Sequence, residues 1–252
     1  MNPTAFEQFE TLEATHWWFR GRRRVYLEIL RSVIGDSKPA RCLDVGAGVG
    51  GFLGELEQLS GVVFHTEIEM DALKTCRRRG HLRGLTASAT HLPFHDQSFD
   101  LVCMFDVIEH IHDDSLALAE AQRVLAPGGY LLLSVPAHPW LFSNNDRVAG
   151  HRRRYSRSAL LQLFERSQLS IRRCTFTNML LFPIIAGFLM AAKALESTEL
   201  TNIERQTTNL SWKLPVFVNS AMYLGFCTEL VLSRRYNLPL GHSLLLVACA
   251  PK

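Results

Sequence analysis

The sequence is short of lysine, of paired cysteines and of long unbroken apolar runs. Its six cysteines (42, 76, 103, 174, 227, 249) are scattered, with no Cys-x-x-Cys and no histidine at metal-ligand spacing. That excludes a disulfide scaffold and a structural zinc site, and no metal is expected. Cys103 in LVCMF and Cys249 in LLLVACA lie in apolar runs, where a free thiol acts as a small hydrophobe. The strongly apolar segment 179–192 has 14 residues, short of the roughly 20 that span a bilayer. Residues 214–232 are apolar but carry Asn219 and Glu229. Both segments are expected to pack as buried helices, line an apolar pocket or lie on a bilayer surface, so peripheral membrane contact is an open expectation. The first residues are acidic and aromatic rather than basic then apolar, so no signal peptide is expected and a cytoplasmic location is.

Five lysines stand against 22 arginines, which run together at 22–24, 77–79 and 152–154. Such runs are either solvated faces or bidentate grips on carboxylate or phosphate. The formal charge is only +3 and acids interrupt the runs, so no nucleic acid partner is expected. The 252 residues, 47% of them hydrophobic, suit one large α/β domain or two small ones.

Phe6, Phe9 and Leu12 share one helical face, and Tyr26, Leu30 and Val33 another, so two N-terminal helices are predicted, with HWWFRGRRR as the break between them. From Arg41 the pattern becomes strand (41–45), glycine turn (46–51), helix (52–60), strand (62–68) and helix (70–80). Strands at 99–105 and 129–136 flank a helix at 114–125; a polar loop, a helix at 157–166 and strands at 171–178 and 243–250 follow. This alternation predicts a mostly parallel sheet with helices on both faces. About 60 residues before the last strand are too many for a simple connection, so they are expected to form an inserted helical cap.

Gly46, Gly48 and Gly51 close the first strand, where the backbone must turn sharply and approach a ligand. Their spacing also fits a dinucleotide turn, and Glu67 at the second strand end suits a ribose acceptor in either case. Three further segments follow: His91-Leu-Pro-Phe94 leading to Ser98-Phe-Asp100, Asp106-Val-Ile-Glu109-His110, and Leu125-Ala-Pro-Gly-Gly129. Taken in order over about Arg41 to Pro136, the series resembles the class I S-adenosylmethionine-dependent methyltransferases, in particular the branch acting on small molecules and quinone-like lipids. His16-Trp-Trp-Phe19 with Arg22, and Asp146 to Ser156 (DRVAGHRRRYS), resemble an N-terminal signature and a loop of some of these enzymes.

The resemblance implies a Rossmann-like fold of one domain (1–252): a helical lid (1–40), a cofactor-binding core (41–178), a cap (179–242) and a last strand (243–252) in a seven-stranded sheet. It implies S-adenosylmethionine as cofactor and S-adenosylhomocysteine as product. Asp44, Gly46, Ala47 and Gly48 would lie at the methionine and ribose end, Glu67 on the ribose hydroxyls, and Ile68 on the adenine. Ser88 and Ala89 would meet the adenine edge; many relatives carry Asp where this chain has Ser88, and a serine accepts more weakly. Phe105 and Asp106 would face the methionine end, Arg22 its carboxylate, and Trp18 would cover the site. Docking of the N-terminal helix is the competing role for these aromatics.

His151 and His110 are the candidate general bases, histidine having the right pKa to take a proton near neutrality. His151 is preferred because Asp146 could orient it. Asp146, Arg154 and Tyr155 are candidate acceptor contacts, unless the loop is a self-contained knot of ion pairs. Phe182 and Phe226 of the cap are expected to line a pocket for a small, apolar or lipid-like acceptor, methylated on O, N or C. The rivals are a nicotinamide-dependent oxidoreductase and a methyltransferase-fold protein that binds without methylating; oligomeric state is left open.

Overall fold

In a computed structural model, which describes residues 12–196 and 214–252, the apolar runs become one seven-stranded sheet. Its strands are β1 (Arg41–Val45), β2 (Val62–Glu67), β3 (Gly84–Thr86), β4 (Phe99–Phe105), β5 (Leu125–Pro136), β6 (Ser170–Thr177) and β7 (Ser243–Cys249). Their spatial order is β3-β2-β1-β4-β5-β7-β6. The first five are mutually parallel, whereas β7 runs antiparallel to both β5 and β6. The order reverses between β1 and β4, the position where open α/β sheets bind ligands beyond their carboxyl ends.

The central strands are apolar without alternation because both their faces are covered. On one side Leu43, Val102, Met104, Leu131 and Leu246 pack against α4 (Asp114–Val124) and α6 (Arg157–Glu165). On the other, Cys42, Leu101, Cys103, Leu132 and Leu245 pack against α1 (Trp17–Ile34) and α2 (Leu53–Leu59). Between them, α3 (Met70–Arg78) connects β2 to β3, and α5 (Asn144–Ala149) interrupts the polar loop after β5. The thiols are all free, and all but the half-buried Cys227 are buried.

Two expectations need correction. HWWFRGRRR is not a break: Trp17 opens α1, capped by His16, whose Nδ1 accepts from the Trp18 N–H at 3.3 Å. The sequence looks broken because of Gly21 and its arginines, yet Gly21 is there for packing. A Cβ on it would stand 2.3 Å from Phe226. The three-residue β3 was too short to show as an apolar run. Phe6 and Phe9, assigned to a first helix, lie outside the described residues.

The cap contributes α7 (Phe182–Glu196), α8 (Val216–Thr228) and α9 (Leu230–Ser233). Val216–Ser233, 18 residues with mean hydropathy 1.4, is long and apolar enough to cross a membrane by length and composition alone. Phe226 and Leu230 are nevertheless buried against α1, while Val216, Phe217, Leu224 and Val231 are exposed. Glu229, also buried, accepts the Asn178 and Met179 N–H groups at 2.6 and 2.7 Å, tying the helix to the end of β6.

Candidate active site

The carboxyl ends of β1, β2 and β4 open into a cavity of about 1110 Å³, roofed by α1 and the cap. Ligand pockets usually span roughly 300–1,000 Å³, so this one lies at the large end of that range.

One end is built by the glycine turn. Gly46 (φ +70) and Gly48 (φ +57) have left-handed backbones, and a Cβ on Gly46 would meet Val107 at 2.8 Å. Beside Gly48 the space is open. The turn is pinned to β2: the Gly46 and Ala47 N–H groups donate to the Thr66 carbonyl, and the Gly48 N–H donates to Glu67 Oε2 at 2.8 Å. Glu67 Oε1 accepts from the Ile68 and Glu69 N–H groups. Asp44 lies beneath, 2% exposed, with Oδ1 lacking any partner. Burial, then the charges of Glu67 and Glu13, push its pKa well up. A buried polar atom with nothing to bond is costly unless a ligand supplies the partner. The open glycine turn, the Glu67 carboxylate and this orphaned oxygen therefore fit a nucleoside cofactor. Ile68, Ser88 and Ala89 also line this end.

Phe105 and Asp106 stand at the middle. Asp106 (φ +55) is a non-glycine residue in a left-handed conformation, a sparsely populated state that functional sites hold by surrounding contacts. Here Ser134 Oγ donates to its Oδ1 and Arg22 pairs with its Oδ2, both at 2.8 Å. Arg22 lines the cavity and pairs with Asp106, and its buried Nε has no partner. Trp18 lines the cavity and stacks on Phe226, its ring centroid 5.7 Å away.

The far side divides into a polar corner and an apolar wall. At the corner, His151 Nδ1 bonds Asp146 Oδ1 at 2.8 Å and His110 Nδ1 bonds the Gly150 carbonyl at 3.1 Å. Burial, reinforced by His151, lowers the His110 pKa to about 4, so its imidazole is neutral. Burial would raise Asp146, but the His151 bond and Arg154 outweigh it and hold the carboxylate ionised. Both imidazoles line the cavity, and their uncommitted nitrogens can either accept a proton or ligate a cation. Glu109, not assigned any role from the sequence although it sits in the quoted Asp106–His110 segment, is buried directly behind them.

Three acceptor assignments do not hold. Tyr155 is buried away from the cavity, its hydroxyl donating to Asp114 at 2.6 Å. Phe182 packs on His138 and Trp140, and Phe226 between Trp17, Trp18 and Gly21. The apolar wall comes instead from Ile184, Ile185, Phe188, Leu189, Leu214 and Met222, with His242 beside them. Arg154 lines the cavity, but its guanidinium donates to Asp146 and the Ala137 carbonyl; Arg153 donates to Asp114 and two carbonyls. Arg153 and Arg154 are thus taken up by these pairs and do not offer a grip for an anionic acceptor.

Residues 43–133 match the family model described as "Methyltransferase domain". The chain is 38% identical over 97 residues to phthiotriol/phenolphthiotriol dimycocerosates methyltransferase 1 of Mycobacterium ulcerans, covering 36% of each chain. It is 32% identical over 120 residues to demethylmenaquinone methyltransferase of Renibacterium salmoninarum, covering 47% of this chain and 51% of that one. Residues 43–133 are thus similar to a methyltransferase domain. The chain spans about a third to a half of the length of these curated relatives. The fold of the domain recurs in Haemonchus contortus phosphoethanolamine N-methyltransferase 2, solved with S-adenosyl-L-methionine. That match has a TM-score of 0.56 at 19% identity and covers 90% of this chain and 52% of that one.

Proposed function

We propose that the protein is an S-adenosylmethionine-dependent methyltransferase acting on a small acceptor with an apolar body. The observation that carries this reading is the continuity of one cavity, from Glu67 and the glycine turn, past Asp106, to an apolar wall and a histidine corner. When bound, S-adenosylmethionine supplies an electrophilic methyl group on a sulfonium that departs as a neutral thioether. Glu67 would take the ribose hydroxyls on the acceptor capacity that its three backbone N–H bonds leave, a carboxylate having about four acceptor sites, and Asp44 would take the donors deeper in the turn. Ile184, Ile185, Phe188 and Met222 would bind the acceptor body, which turns the reacting atom toward His110 and His151 and excludes water from it. A quinol- or lipid-like acceptor suits this wall; the two curated relatives are named as methyltransferases of that kind.

The test is calorimetry with S-adenosylmethionine and with NAD. One-to-one binding of the first and none of the second is expected; the reverse would establish the oxidoreductase reading. A methyltransferase fold without transfer would bind the cofactor yet release no labelled methyl to any quinol or lipid acceptor.

The same reading assigns the exposed apolar side of the cap to a bilayer surface. Ile184 and Phe188 line the cavity and are 69% and 42% exposed, and Val216, Phe217 and Val231 of the same cap are exposed apolar side chains. An apolar acceptor would then enter without crossing water. Sedimentation with phosphatidylglycerol vesicles should retain the protein, and Phe217→Asp with Val231→Asp should release it; vesicles that retain neither form would refute the surface.

A further inference from the structure

Glu109 is completely buried, and neither of its carboxylate oxygens has a hydrogen-bond partner. A buried carboxyl group with no hydrogen-bond partner is costly for a fold to hold unless a ligand supplies one. Two imidazoles face it. His151 Nε2 lies 4.0 Å from Glu109 Oε1, and a ligand atom of His110 joins them so that all three lie within 4.8 Å of one another. His151 is anchored through Nδ1 on Asp146, and His110 Nδ1 bonds the Gly150 carbonyl. A carbonyl only accepts, so His110 Nδ1 carries the proton and its Nε2 presents a lone pair; the Asp146 carboxylate imposes the same tautomer on His151. Imidazoles held in this way, by a carboxylate or carbonyl behind and a free Nε2 in front, are the usual outer-shell arrangement of metal ligands. Asp106 is not a member of the set, because Arg22 and Ser134 occupy its oxygens.

We infer that Glu109, His110 and His151 form a site for one divalent first-row transition cation, open to the cavity on the acceptor side. Two imidazoles and one carboxylate suit Mn²⁺, Fe²⁺, Co²⁺ or Zn²⁺ rather than Mg²⁺ or Ca²⁺. Metal–ligand bonds of about 2.1 Å place ligand atoms roughly 3.0–3.4 Å apart, so side-chain shifts of about 1 Å complete the site. Glu109 lies behind and the imidazoles line the cavity, so the remaining coordination positions face the acceptor. Resting on the methyltransferase reading for its consequence, the site narrows the acceptor to one with an oxygen donor at its reacting end. A coordinated hydroxyl would lose its proton to water in the open cavity far more easily than a free one does, and His151 becomes a ligand rather than a general base. The ligands escape sequence inspection because His110 and His151 are far apart in the chain and carry no compact motif.

The full chain, stripped with a chelator, is titrated with Mn²⁺ and the free ion followed by paramagnetic resonance, with Zn²⁺ as competitor. One equivalent bound and displaced by Zn²⁺ is expected. Glu109→Gln and His151→Ala should each weaken binding at least tenfold, and Asp146→Asn about 10–100-fold, the usual range for an outer-shell partner. Glu67→Ala, which acts on the cofactor end, should leave Mn²⁺ binding unchanged. No stoichiometric binding by the native chain, or Glu109→Gln binding as the native chain does, would overturn the site. Turnover that survives chelation undiminished would overturn the ligand role and return His151 to general base. Failure of S-adenosylmethionine to bind while Mn²⁺ still does would refute the methyltransferase reading and leave the cation site standing.

Discussion

Gly21 provides a sharp test of how the lid and the cap hold each other. It lies inside α1, where glycine costs about 1 kcal/mol relative to alanine, so Gly21→Ala should by propensity stabilise. The packing opposes that. A Cβ would stand 2.3 Å from Phe226 Cδ1 and 3.0 Å from two other ring atoms, against an ordinary carbon–carbon contact of about 3.5–4.0 Å. Phe226 cannot swing aside, being fully buried between the Trp17 and Trp18 rings. Overpacking of this kind costs about 1–3 kcal/mol, which outweighs or cancels the helical gain. Phe226→Ala alone should cost about 3–5 kcal/mol. In that background the obstruction is gone, and Gly21→Ala should now stabilise, by up to about 1 kcal/mol. Urea unfolding of the four proteins, followed by far-ultraviolet circular dichroism, measures the cycle, with a coupling of about 1–3 kcal/mol expected. An equal effect of Gly21→Ala in both backgrounds would show that helix α1 and the cap do not meet at this point.

Three further outcomes follow from the geometry. Glu67→Ala removes the acceptor of three backbone N–H groups together with the ribose contact, and should weaken S-adenosylmethionine at least about tenfold, since one charged hydrogen bond contributes roughly 1.5–3 kcal/mol; an unchanged Kd by calorimetry would remove Glu67 from the cofactor site. Glu229 is pushed up by burial to about 7. The folded state therefore binds a proton that the unfolded chain releases near its ordinary value, and stability is greatest below about pH 4.5 and falls as pH rises to about 7, by about 3 kcal/mol in all. Thermal unfolding across that range should show the slope for the native chain and lose it in Glu229→Gln, and a slope retained in the variant would assign it to another group. Tyr155→Phe deletes the hydroxyl on Asp114 and should cost about 1 kcal/mol of stability with acceptor KM unchanged; a raised KM would place Tyr155 back at the acceptor.

Legibility followed the strength of the pattern. Strands buried on both faces read as short apolar segments with at most single polar residues between them, so β1 and β4 were bounded to the residue. The glycine turn and Glu67 were readable because a left-handed backbone and a strand-end acid each leave a local mark. The cap did not yield its orientation. Helices α7 and α8 are apolar on all sides, and a helix without a polar stripe carries no phase. The choice between Phe182 or Phe226 and Ile184 or Met222 as wall residues therefore depends on tertiary packing. The arginine loop misled for a related reason: sequence shows charge but not whom it pairs with, and Arg153 and Arg154 pair inward. Glu109 lay in plain view beside His110, yet its meaning required His151 to be folded against it.

The central claim is that one cavity places a cofactor at Glu67 beside an acceptor wall made by the cap. A crystal structure with S-adenosylhomocysteine tests it most directly. The ribose hydroxyls are expected on Glu67, the sulfur turned toward Asp106 and the His110–His151 corner, and an empty apolar space beside it bounded by Ile184, Ile185 and Met222. Product bound elsewhere, or a sulfur facing solvent with no cavity next to it, would rule out a shared cofactor and acceptor cavity.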